Sequence, residues 1–97
     1  MNREDIIFIL NKAQKELHEQ YAVKSLALFG SIARNESRPD SDVDLLVEFS
    51  QPVGLFQFIG LKQYLESLLG RTVDLGTVAS LKPYLKENVL REMIHVA

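Results

Sequence analysis

Two places in the chain put polar groups where a packed core would exclude them. Gly30-Ser31 closes the apolar run VKSLALF, and after ten intervening residues Asp42-Val43-Asp44 opens another, DLLVEF. Side chains alternate along a strand, so Asp42 and Asp44 point the same way, with Cβ atoms about 7 Å apart at a rise of about 3.3 Å per residue. Two carboxylates so placed repel, and relief comes from protonating one, from a basic partner or from a hard cation. Mg²⁺ is the cation that takes carboxylates together with substrate phosphates, and two metal ions about 3.5 to 4 Å apart fit between such groups. A glycine at a strand end lets backbone approach a ligand, the helix start behind it offers N–H groups to an anion, and Ser31 adds a hydroxyl. An anion cradle facing an acid pair is what phosphoryl or nucleotidyl transfer requires, because positioning and charge neutralisation do most of that catalysis.

Each feature has a structural alternative. A DxD is common at turns and strand ends, and an isolated Gly-Ser pair is a helix cap. Arg34 and Arg38 are placed to steady triphosphate charge, yet arginines beside acids in a loop also serve as surface ion pairs. The combination at this distance is what separates the readings, since average residue usage makes it a chance event on the order of one in a thousand for a chain this long. His18 and His95 lie in amphipathic segments without a second histidine nearby and receive no role.

The elements that must carry these residues follow from periodicity. Ile6, Ile7, Leu10, Ala13 and Leu17 recur at helical spacing, predicting a first helix from Arg3 to about Gln20. Val23 to Phe29 is a short strand ended by Gly30, and Ser31 with IARNE behind it predicts an N-cap and a short helix. RPDS, residues 38–41, is a turn by composition. In the strand that follows, Val43, Leu45, Val47 and Phe49 share one face, while Asp42, Asp44, Leu46 and Glu48 share the other. Leu55, Phe58, Ile59, Leu65, Leu68 and Leu69 mark a long helix stopped by Gly70. TVDLG, residues 72–76, is a third strand, and Ser80 to Ile94 is the expected last helix with Pro83 in its first turn. The expected fold is α/β, with helices packed on a short mixed sheet; periodicity does not supply the strand order.

Composition narrows the function. A chain of 97 residues is expected to form one domain, 1–97, with one core. Lysine and arginine total 11 against 13 acids, a net charge of -2, which has the wrong sign for a domain that grips nucleic acid by its phosphates. Cysteine is absent, so disulfides, thiol nucleophiles and thiolate metal sites are excluded. The opening MNREDIIFILNKAQKEL lacks a charged-then-apolar leader, and no apolar run approaches membrane-spanning length, so a cytoplasmic location is expected.

Leu28-Phe29-Gly30-Ser31-Ile32-Ala33-Arg34, followed by Ser41-Asp42-Val43-Asp44-Leu45, resembles the defining motif of the polymerase-beta-type nucleotidyltransferase superfamily. The likeness is to its minimal nucleotidyltransferase branch and spans essentially the whole chain. It implies a nucleotidyltransferase-type domain in which a third carboxylate on a neighbouring strand completes the metal site. Asp74, in Thr72-Val73-Asp74-Leu75, is the candidate, as metal ligand and as base toward the attacking hydroxyl. By composition alone Asp74 also suits a solvated edge strand.

The expected activity is therefore Mg²⁺-dependent transfer of a nucleoside monophosphate from a triphosphate to a hydroxyl, with Gly30, Ser31 and Arg34 on the phosphates and Asp42, Asp44 and Asp74 on two metal ions. The resemblance further implies ATP as substrate, a HEPN-domain ribonuclease toxin as partner, a tyrosine as acceptor and an antitoxin role. Two other readings stand beside it, a module that neutralises its partner by docking alone and the catalytic subunit of a two-chain antibiotic nucleotidyltransferase. Leu55, Phe56, Phe58, Ile59 and Leu61, with Val89, Leu90, Met93 and Ile94, exceed what one core-facing stripe needs, which suggests a partner surface and association with itself or another chain.

Overall fold

The computed structural model describes residues 1–36 and 38–97. Its elements are α1 (Arg3–Lys12), α2 (Gln14–Tyr21), β1 (Val23–Phe29), α3 (Gly30–Ala33), β2 (Val43–Phe49), α4 (Leu55–Leu69), β3 (Val73–Gly76), a 3₁₀ turn (Val78–Ser80), α5 (Pro83–Glu92) and β4 (Ile94–His95). The sheet order is β3-β2-β1-β4. β1 runs antiparallel to both β2 and β4, whereas β2 and β3 are parallel, with α4 as the crossover between them. The mixed sheet with helices on it is thus the architecture observed.

One face of the sheet carries the core. Val43, Leu45 and Val47 of β2, Leu26 and Leu28 of β1, and Val73 and Leu75 of β3 pack against Ile6, Leu10 and Leu17 of α1 and α2 and Leu61, Leu65 and Leu69 of α4. A bulge between Val23 and Ser25 shifts the β1 register, so Val23 opposite Phe49 and Leu26 opposite Val47 both reach this face despite their odd spacing. The acidic residues of β2 and β3 are left on the other face. Ala27 and Leu46 are buried there too, side by side across the β1–β2 ladder.

Three boundaries differ from the sequence reading, two for local reasons and one through a distant pairing. The first helix breaks at Ala13, whose N–H is shared between Ile9 O at 3.2 Å and Leu10 O at 3.1 Å; the tightened turn still lets Leu17 join Ile6 and Leu10 in the core. The last helix begins at Pro83 instead of Ser80, because Lys82 precedes proline and is held extended at φ -64°, ψ 140°. Before it, Thr77 and Ser80 close their own turn, Ser80 Oγ accepting from Thr77 N and donating to Thr77 O. That helix also stops at Glu92, and Ile94 with His95 forms an edge strand opposite Leu28 and Ala27, a pairing that periodicity within the segment does not encode.

Helix ends are otherwise held as composition suggests. Asn2 and Asp5 exchange side-chain bonds with each other's N–H at the start of α1, and Gly70 ends α4 in the left-handed region at φ 63°. Leu45 is fully buried at the centre of the sheet. Leu45→Ala is expected to lower stability by about 3 kcal/mol, read as a shift in urea midpoint with an unchanged slope.

Candidate active site

The site is built from the register of three strands. β2 is flanked by β1 and β3, and Asp44 stands opposite Phe29 on one side and Asp74 on the other. Parallel strands lie about 4.8 Å apart, so residues in register on one face have neighbouring side chains. Asp44 and Asp74 are such a pair, and Asp42 lies two residues back along β2. Asp44 is half-buried, while Asp42 and Asp74 are exposed. The edge position anticipated for Asp74 is real, since β3 ends the sheet, but its register puts it beside the central aspartate.

Gly30 closes the site from the β1 end. Its φ of +76° disfavours any other residue, and a Cβ built there would overlap Asp44 Oδ2 and come within 2.9 Å of Asp44 Cγ. The missing side chain is what makes room for the carboxylate. α3 opens at Gly30, with extended Phe29 in the capping position and no side-chain cap bond. Ser31 therefore lies inside the first turn instead of capping it, which corrects the expected N-cap and leaves its hydroxyl available to a ligand.

The electrostatics centre on Asp44. Burial pushes its carboxyl up to about 6, Asp74 and then Asp42 push in the same direction by repulsion, and a hydrogen bond shared with Asp74 adds to it. Arg34 opposes the shift and so stands within electrostatic reach. Its guanidinium is nevertheless engaged elsewhere, Nε with Glu36 Oε2 and Nη1 with Glu92 Oε2, each at 3.2 Å. These exposed pairs are weak. Of the sequence candidates, Gly30, Asp44 and Asp74 are in mutual contact or register, Asp42 and Ser31 flank them, and Arg34 is near but occupied.

The donor set suits a hard dication: carboxylate oxygens only, one of them half-buried and destabilised as an anion by its neighbours. Among the described residues no three His, Cys, Asp or Glu side chains are gathered closely enough to enclose an ion by themselves. Mg²⁺ completes its shell with water and substrate phosphates, so an open carboxylate set is compatible with it.

Residues that periodicity did not single out support this arrangement. Arg71 Nη2 donates to Arg38 O at 3.2 Å and to Ser41 O, and Glu66 Oε2 accepts from Val73 N at 2.9 Å. The only sequence signal was their position around Gly70, where a helix ends and a strand begins. The anticipated apolar excess divides. Leu61 and Ile94 join the core region, Phe58 packs on Phe49, and Val89 and Met93 are half-buried. Leu55 and Phe56 are 71% and 90% exposed on α4, and Tyr84, Leu85 and Leu90 are exposed on α5.

Residues 10–96 match the family described as nucleotidyltransferase domain. The chain belongs to that family. This nucleotidyltransferase is 46% identical over 93 residues to protein adenylyltransferase MntA of Thermococcus cleftensis, covering 96% of this chain and 94% of the relative. A solved structure assigned as a minimal nucleotidyltransferase aligns with a TM-score of 0.80 at 40% identity, over 97% of this chain and 95% of that one. A chain from the Shewanella oneidensis complex of a tri-AMPylated HEPN toxin with an MNT antitoxin aligns with a TM-score of 0.65 over 94% of the present chain and 71% of its own; at 20% identity, this likeness is one of fold. The enzyme is thus a minimal nucleotidyltransferase with protein adenylyltransferase relatives.

The raised Asp44 carboxyl has a consequence for stability. Between about pH 4 and pH 6 the folded nucleotidyltransferase keeps a proton that the unfolded chain has released, so stability falls as pH rises through that window. Asp44→Asn removes this loss. In metal-free buffer the variant is expected to melt above wild type at pH 7, with the gap closing as pH approaches 4, in thermal scans from pH 4 to 8.

Proposed function

We propose that this protein is a Mg²⁺-dependent protein adenylyltransferase that moves AMP from ATP to a tyrosine hydroxyl of a cognate HEPN ribonuclease toxin and thereby acts as its antitoxin in the cytoplasm. The observation that carries the reading is the register of Asp44 beside Asp74, closed by a glycine that only the absence of a side chain lets fit against the Asp44 carboxylate. An inert surface has no reason to keep three like charges on one sheet face. The 46% identical relative is named for adenylyl transfer to protein, and the fold recurs beside an AMPylated HEPN toxin in the Shewanella complex.

Asp42, Asp44 and Asp74 would hold Mg²⁺, which when bound neutralises carboxylate and phosphate charge. The N–H groups of the first turn of α3, with the Ser31 hydroxyl, would receive the triphosphate at Gly30, and Arg34 would leave Glu36 and Glu92 to join them. The acceptor oxygen attacks the α-phosphorus, the bond to the β-phosphate oxygen breaks, pyrophosphate leaves, and the acceptor proton passes to Asp74. Among the described residues the main clefts are lined by residues other than Asp42, Asp44 and Asp74, and a bound protein would deliver the acceptor and supply its orientation.

Incubation with labelled ATP, Mg²⁺ and the product of the neighbouring gene, followed by intact mass, tests this. The partner is expected to gain one or more AMP units. Asp42→Asn or Asp44→Asn should abolish the gain while the variant stays folded, and chelator should weaken ATP binding. Complex formation without a mass change favours docking alone, and rapid transfer to an aminoglycoside or free tyrosine favours the small-molecule reading.

The exposed apolar residues at the start of α4 are the proposed docking surface for that partner. Phe56 contributes little to the fold, and an acid in the first turn of a helix is electrostatically favoured, so Phe56→Glu should leave stability unchanged. It is expected to slow partner modification by about ten-fold or more, the effect of removing one well-packed aromatic anchor from an interface, while ATP affinity by calorimetry is unaltered.

A further inference from the structure

Asp42 presents a problem of support. It precedes the first residue of β2 and lies outside the ladder that fixes Asp44, yet a metal-holding carboxylate must stay in place when phosphates and partner arrive. Its two sequence neighbours are held instead, and both from one short segment. Val43 N donates to Thr72 O at 2.9 Å, and Ser41 O accepts from Arg71 Nη2. The same Arg71 nitrogen reaches Arg38 O, at the other end of the turn, at 3.2 Å.

The turn is also closed on itself. Ser41 N donates to Arg38 O at 3.0 Å, and Arg38 N donates to Ser41 Oγ at 2.8 Å. Arg71 thus joins the two ends of an already closed loop to the body of the protein. Gly70 makes this reach possible, because its left-handed φ of 63° turns the chain sharply at the end of α4, and Arg71 follows at once. Glu66, one turn back in α4, accepts from Val73 N and secures the start of the Asp74 strand. The end of α4 therefore governs both acid-bearing segments, Arg71 through the turn before Asp42 and Glu66 through the strand that holds Asp74.

The chemistry of the contact fits a backbone clamp. Among the described residues Arg71 has no carboxylate within ion-pairing distance, so its partners are two neutral carbonyls. A guanidinium is a rigid, planar, permanently charged donor that carbonyls can receive without a proton changing hands, whereas a lysine ammonium lacks the plane and the reach. We propose that Arg71 is a positioning residue for the carboxylate site: by tying the carbonyls of Arg38 and Ser41 to the end of α4, it sets where Asp42 stands and hence how well the acid set takes Mg²⁺ with a nucleotide. The inference rests on the reading of Asp42 as a metal ligand.

Two measurements separate the clamp from that reading. Hydrogen exchange on the metal-free protein reports the clamp: in Arg71→Gln the amides of Ser41 and Val43 should exchange about ten-fold faster or more, with those of Leu26 and Val96 in the β1–β4 region unchanged. Calorimetric titration with MgCl₂ and a non-hydrolysable ATP analogue reports the consequence: the Mg²⁺ midpoint should rise about ten-fold in Arg71→Gln and about three-fold in Arg71→Lys, while nucleotide binding at saturating Mg²⁺ recovers. A general loss of fold would not recover. If Arg71→Gln does not fold, Arg71→Lys decides, and a wild-type Mg²⁺ midpoint in that variant overturns the proposal. So does an Arg71→Gln protein whose Ser41 exchange and Mg²⁺ midpoint match wild type. Should wild type itself bind no Mg²⁺ with nucleotide, the functional reading fails, and unaltered Ser41 exchange in Arg71→Gln would remove the clamp as well.

Discussion

The parallel register of β2 and β3 sets one aspartate beside another on a sheet whose reverse side is the core. Side chains alternate along both strands, so the pairing that puts Val43 beside Val73 and Leu45 beside Leu75 in the interior also puts Asp44 beside Asp74 on the outer face. A slip of one residue would turn two carboxylates into the core and expose leucines, so the hydrophobic pattern enforces the acidic pair. The protein gains its core and accepts the repulsion through the same ladder.

That repulsion is tolerated because the load is concentrated on one residue. Asp44 is flanked by strands on both sides and loses solvent, whereas Asp42 before β2 and Asp74 on the edge strand remain exposed. A cation beside a half-buried anion flanked by two solvated ones would relieve both desolvation and like-charge repulsion. Gly30 belongs to the same device. A side chain there would occupy the space of the Asp44 carboxylate, so the strand end and the acid are matched by shape as well as by charge.

The outer face does little to enclose a substrate. Its buried apolar content is Ala27 and Leu46, and the 3₁₀ turn lies against β2 beyond the acids. The exposed aromatic and aliphatic side chains of α4 and α5 lie outside the core and are not required by the fold. The Arg34 pair with Glu92 links the end of α3 to α5, while the pair with Glu36 is local. Being exposed, both pairs are weak.

Much of this was legible before any coordinates. Asp42, Val43 and Asp44 at the start of an alternating strand specify two acids on one face and four apolar residues, Val43, Leu45, Val47 and Phe49, on the other, because strand geometry has a period of two whatever surrounds it. Gly30 before a short helix signals a close approach, and Gly70 a helix end, because both depend on local backbone freedom. The break at Ala13, the start at Pro83 and the β4 pairing of Ile94 and His95 were not legible; the first is a local tightening of the backbone ladder that the apolar pattern runs straight through, the second a restriction on the residue before proline that outweighs a helical pattern, and the last is decided by partners distant in sequence. Ser31 looked like a cap because caps are the common use of serine there, and only the conformation of Phe29 and Gly30 showed it released from that duty. The sequence by itself determined which side chains could do chemistry and which face of each strand they occupy, since those follow from local covalent geometry. Only the tertiary structure decided that Asp74 stands in register with Asp44, that Gly30 fits against its carboxylate and that Arg71 reaches back to the Arg38 turn, because each joins segments whose approach is set by packing of the whole core.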